Sequence, residues 1–135
     1  MRFQTFFILA IGFAGVTQPV LAQDCSSLDQ AGMNQCAGES YAKADSELNA
    51  QYRELRQRLS GDKEGLGRLT TAQRNWIAFR DAECDFATAG VAGGSIFPTV
   101  QANCLETITR SRIDDFNTYL TCEEGDLSCP VPPAG

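Results

Sequence analysis

Six cysteines and no histidine in a chain of 135 residues constrain the fold more than any other feature. The cysteines stand at 25, 36, 84, 104, 122 and 129, all behind a leader-like beginning. Arg2 supplies the positive charge, residues 6–16 form an uncharged apolar run, and Val20-Leu21-Ala22 offers a cleavage site. The reading is a signal peptide over 1–22. The apolar run is too short for a comfortable membrane span, so no span is expected in the exported chain. Cys25 follows Asp24 where a small residue would be needed, so the lipid-attachment pattern is not met. An even cysteine count behind such a leader reads as three disulfides in an oxidising compartment. That is periplasmic or secreted, in a bacterium. With no histidine and no CxxC, no metal site and no cofactor are expected.

The next constraint is residues 72–84, which hold the single tryptophan, Trp76. Leu66, Leu69, Gln73, Trp76, Arg80 and Cys84 fall at helical spacing and form one ridge. Ala72, Ile77 and Phe79 are read as widening it. This helix, over 63–87, is expected to be the centre on which the others pack. Gln73 and Arg80 lie on the ridge and need partners if buried. Asp45 and Glu47 are candidates for Arg80.

An earlier helix is expected from Gln35, capped by Asn34 and ended by Gly61 in the left-handed conformation. Its apolar stripe is Ala37, Tyr41, Ala44, Leu48, Tyr52, Leu55 and Leu59. A third helix runs to about Leu120, with Ser95 as its cap and Pro98 in its first turn. Val100, Cys104, Leu105, Ile108, Arg112, Phe116 and Tyr119 keep helical spacing. Arg112 is assigned to the buried polar set with Asp45, Gln73 and Arg80, paired with an acid on another helix. Asp114 and Asp115 are read as solvated. The fold class is therefore all-α, a small three-helix or four-helix bundle stapled by three disulfides. The domain occupies 23–121, and 122–135 is a proline-rich tail closed by a disulfide.

Antiparallel neighbours joined by a short loop bring Cys84 to Cys104. Cys122 and Cys129 close the tail, which leaves Cys25 with Cys36. Each disulfide contributes on the order of 2–4 kcal/mol. That matters because three helices bury only a modest core.

The net charge is −6, and loss of Arg2 with the leader makes the chain more acidic. Nothing here neutralises a run of phosphates, so nucleic acid is not an expected partner. A basic protein is compatible. The loop over 88–97 contains Gly93, Gly94 and Ser95, and a Gly-Gly-Ser before a helix can cradle an anion. No lysine, Walker motif or strand accompanies it, so a tight connection is preferred. No catalytic residue emerges, since no carboxylate pair sits in a recognisable motif.

Several ordered pieces nonetheless resemble one family, the lysozyme inhibitor LprI-like N-terminal domain. They are Met33-Asn34-Gln35-Cys36-Ala37, Tyr41-Ala42-Lys43-Ala44-Asp45-Ser46-Glu47-Leu48-Asn49 with Tyr52, and Ala72-Gln73-Arg74-Asn75-Trp76-Ile77-Ala78-Phe79-Arg80-Asp81 with Cys84. Gly93-Gly94-Ser95 and Cys104 with Thr109-Arg110-Ser111-Arg112 complete the set. It covers about residues 25 to 120. The resemblance implies an all-α, disulfide-bonded, exported domain without enzyme activity or cofactor. For at least some members it implies inhibition of lysozyme. The expected partner is then a basic lysozyme, met by the loop at Gly93, Gly94 and Ser95. An acidic face with Asp81, Glu83 and Asp85 is the other expected contact. The alternative expectation is a structural or adaptor module of the cell envelope.

Overall fold

The computed structural model describes Cys25, residues 28–123 and residues 125–133. The expected leader over 1–22 lies outside the described residues. Three α-helices are present among the described residues: α1 (Gln30–Arg58), α2 (Lys63–Ala87) and α3 (Phe97–Leu120). A 3-10 turn at Ala89–Val91 joins α2 to the approach of α3.

α1 begins five residues before the expected start. Asp29 rather than Asn34 caps it, its carboxylate accepting from the Gly32 amide at 2.8 Å. Asn34 is instead spent on tertiary bonds. Its amide donates to the Ser95 carbonyl at 3.2 Å, and its oxygen accepts from the Thr99 hydroxyl at 2.6 Å. The inward stripe is as the spacing predicts: Ala37, Ala44, Leu48, Leu55 and Leu59 are all buried. α1 ends on Leu59 without a left-handed residue, so Gly61 does not play the expected role. Asp62 caps α2 directly after this turn, through the Gly65 amide at 2.9 Å.

α1 and α3 run parallel in a register of about 66 residues. Ser40 bonds Glu106, Gln51 bonds Asn117, and Arg58 donates to the Leu120 carbonyl. Small residues, Ala37 and Ala44 on α1 and Ala102 on α3, are buried along these two helices. Among the described residues, most close backbone approaches between helices join this pair, and far fewer involve α2. The centre of the fold is therefore the α1–α3 pair, not the tryptophan helix as expected. α2 lies antiparallel to both, tied by Arg80 to Asp45 and by Cys84 to Cys104. Its ridge does face inward: Gln73, Arg80 and Cys84 are buried and Leu66, Leu69 and Trp76 half-buried. Gln73, Trp76 and Arg80 are too bulky and polar to let the backbones close. Ala72, Ile77 and Phe79 do not widen that ridge; all three are exposed.

α3 has its N-cap at Ile96 and no side-chain cap. Ser95 is held in a turn, where the Phe97 amide donates to the Gly94 carbonyl at 3.1 Å. Pro98 occupies the first helical turn, where its missing amide costs nothing. The buried row of α3 is Ala102, Thr109, Ile113 and Phe116, rotated slightly from the expected row. The core gathers Ala44, Leu48, Leu55, Leu59, Ile113 and Phe116, with Tyr52, Leu66, Leu69, Trp76, Tyr119 and Leu120 packed around it. Val131 joins the same cluster, so the tail contributes a side chain to the core. The three disulfides are Cys25–Cys36, Cys84–Cys104 and Cys122–Cys129, with Cα atoms 5.7–5.8 Å apart.

Candidate partner-binding surface

Between α2 and the α1–α3 pair stands a layer in which aromatic rings alternate with guanidinium groups. The Arg80 guanidinium lies 5.6 Å from the Tyr41 ring centre and 5.2 Å from the Trp76 ring centre. Arg112 lies 5.9 Å from Trp76 and 4.6 Å from Phe116. Cations over ring faces are attracted by the ring quadrupole, more so when shielded from water. Arg80 pairs with Asp45 at 3.4 Å and Asp81 at 2.8 Å. Asp45 was an expected partner; Glu47 stays exposed. Arg112 donates to the buried Gln73 oxygen at 3.3 Å and pairs with Asp115 at 3.3 Å. Its acid is thus on its own helix, one turn on: Asp115, which is exposed as expected and also pairs with Arg112. Asp45 with Arg80 and Gln73 with Arg112 form two polar pairs, bridged by the Trp76 ring, between α2 and the other helices.

The opposite side of α2 faces outward. Asp81, Glu83 and Asp85 are exposed on its last two turns. Asp81 is engaged by Arg80, and Asp85 accepts from Gln101 of α3 at 3.2 Å. The loop follows at once. Thr88 is buried and its hydroxyl donates to the Cys84 carbonyl at 2.7 Å, ending α2 firmly. Gly93 takes φ 78°, a conformation that favours glycine. A Cβ on Gly94 would stand 3.1 Å from the Val91 carbonyl oxygen. Ser95 is exposed, its carbonyl held by Asn34 and its hydroxyl not used as a cap.

The two sequence-predicted surfaces therefore lie at one end of the bundle. That end is formed by the start of α1, the finish of α2 and the start of α3. Cys25–Cys36 and Cys84–Cys104 both staple it. Sequence reasoning missed three exposed apolar side chains of the surface. Phe86 is 80% exposed and Phe79 57% exposed, and Ile96 is exposed within the loop. A helical wheel anchored on Gln73, Arg80 and Cys84 places both phenylalanines on the far side.

At the opposite end, Leu55, Leu59, Arg68, Leu69, Arg112 and Val131 line a cleft of about 690 Å³. Cys122, Asp126 and Cys129 cluster in the tail. Both sulfurs are consumed in a disulfide, and the Asp126 carboxylate accepts from the Ser128 amide and hydroxyl.

The family model for lysozyme inhibitor LprI matches residues 22–116. The chain belongs to the LprI family. An uncharacterized protein of Rhizobium meliloti (strain 1021) is 32% identical over 124 residues, covering 80% of this chain and 89% of its own length. No solved structure matches. The LprI match spans the aromatic–guanidinium layer through Phe116, both staples of the surface, and the glycine loop. The Cys122–Cys129 tail lies beyond it. No helix among the described residues is long and apolar enough to cross a membrane.

Proposed function

We propose that this LprI-family chain is an exported protein that binds a lysozyme and inhibits it by occluding its cleft. The single observation that carries the reading is the stapled end of the bundle in a chain of this inhibitor family. There an exposed acidic helix end and a glycine loop are held by two disulfides. A surface fixed before contact loses less ordering entropy on binding. The acidic residues steer the chain to a basic enzyme. Glycoside hydrolases of this kind carry a pair of carboxyl groups flanking the scissile bond. In this reading the loop enters the cleft, and the Ser95 hydroxyl donates to one of those carboxylates. Asp81, Glu83 and Asp85 meet cations on the rim. The mechanism uses no catalytic residue and no cofactor. Three disulfides fit a periplasmic or secreted location.

The test is a direct binding titration of the oxidised protein against lysozymes, with the wild type beside a variant in which Gly94 and Ser95 are replaced by bulky residues. Saturable binding that the loop variant weakens supports the reading. Binding that is unchanged in the variant removes the loop from the contact.

A further inference from the structure

Phe79 and Phe86 contribute little to the fold that carries them. They are seven residues apart on α2, two helical turns, and so share one face. That face points away from the buried row of Gln73, Arg80 and Cys84. Ala82 and Glu83 fall between the two rings on the same face, and both are exposed. At 57% and 80% exposure, the rings offer on the order of 250 Å² of aromatic surface to water. Two aromatic rings on a rigid helix are the type of side chain that anchors protein interfaces.

The charge around the rings indicates what covers them. Glu83 lies four residues after Phe79 and three before Phe86, next to both. Asp81 and Asp85 stand on the same two turns but on the other flank of the helix, where they meet Arg80 and Gln101, so Glu83 is the acid beside the rings. The last turn of α2 holds no basic residue. Glu83, near the helix C-terminus, opposes the helix dipole, so it does not serve α2 itself. The nearest cation along the helix, Arg80, is buried and committed to Asp45 and Asp81. A second copy of this chain, docked by two-fold symmetry, would bring both Glu83 carboxylates into one interface with no cation of this face to meet them. A basic protein surface with apolar pockets is complementary instead.

We propose that Phe79, Ala82, Glu83 and Phe86 form the principal docking face for a basic protein. The two rings fill apolar pockets, and Glu83 meets a cation between them. This rests on the inhibitor reading, under which that protein is the lysozyme.

The experiment measures affinity for c-type, g-type and i-type lysozymes with wild type, the double variant F79A/F86A, and E83K, all as oxidised full-length protein. Thermal melting is followed in parallel. The expected result is a loss of affinity of about thirtyfold or more in F79A/F86A, with an unchanged melting temperature, and weaker binding by E83K. Wild-type binding that F79A/F86A retains within about threefold overturns the docking face and leaves the inhibitor reading standing. Wild type that binds no lysozyme overturns both. Self-association that F79A/F86A abolishes, without change in lysozyme affinity, assigns the face to a second copy and overturns the proposal.

Discussion

The Arg112 guanidinium lies 4.6 Å from the centre of the Phe116 ring, with the Trp76 ring 5.9 Å away on α2. Phe116 is fully buried at the α1–α3 seam. Arg112 thus links the apolar centre of the molecule to the helix that carries the candidate surface. Arg80 repeats the arrangement between Trp76 and Tyr41.

Arg112→Lys keeps the charge but loses the planar face over Phe116 and the bond to Gln73. The buried Gln73 oxygen is then left without its donor. A loss of about 2 kcal/mol is expected, read from urea unfolding. Wild-type stability in this variant would show that the stacked guanidinium does not hold α2.

Thr88 and Thr109 are equally buried but differently satisfied. The Thr88 hydroxyl donates to the Cys84 carbonyl, whereas the Thr109 hydroxyl has no partner among the described residues. Thr109→Val should raise stability by about 1 kcal/mol, because it removes an unpaired buried hydroxyl. Thr88→Val should lower it by a similar amount. Thermal melts of the two variants should move in opposite directions.

Replacing Cys84 and Cys104 by alanine removes a link between residues 20 apart. The expected cost is about 3 kcal/mol. The same change at Cys122 and Cys129 opens a link between residues only 7 apart and should cost less. Equal costs, measured by denaturant unfolding, would contradict this ranking.

Burial pushes the Tyr41 phenol up, and the nearby Arg80 charge opposes the rise while Asp45 and Asp81 add to it. In the unfolded chain tyrosine loses its proton near pH 10. The folded protein holds this proton longer, so above that pH it carries more protons than the unfolded chain. The Tyr41 contribution to stability is therefore complete below about pH 10 and is lost as pH rises through the folded value. Ultraviolet titration should show a late-ionising tyrosine fraction that disappears in Tyr41→Phe. A late fraction that persists in that variant would place it elsewhere.

The bundle was legible in the sequence where side-chain size and helical period agree. The Ala37, Ala44, Leu48 and Leu55 stripe on α1 and the three cysteine pairs are of this kind. So was the polar ridge of α2, because Gln73 and Arg80 interrupt an apolar row at regular spacing. The order of packing was not legible. Trp76 drew attention to α2, but small side chains bring helices together, and those lie on α1 and α3. The outward phenylalanines were hidden because ring hydrophobicity alone assigns Phe79 to a core. The cap of α1 was misplaced because Asn34 has tertiary partners, Ser95 and Thr99, that no local pattern reveals. At the candidate surface, only the exposure of Gly93, Gly94, Ser95, Asp81, Glu83 and Asp85 is as the sequence led one to expect. Their meeting at one stapled end depends on the pairing of α2 with α3.

The most direct measurement is a titration of the oxidised protein into c-type, g-type and i-type lysozymes, following lysis of cell-wall substrate at two salt concentrations. The account predicts saturable inhibition of at least one class, weaker at the higher salt because acidic residues steer the encounter. Lysis unaffected in every class at both salt concentrations would contradict it.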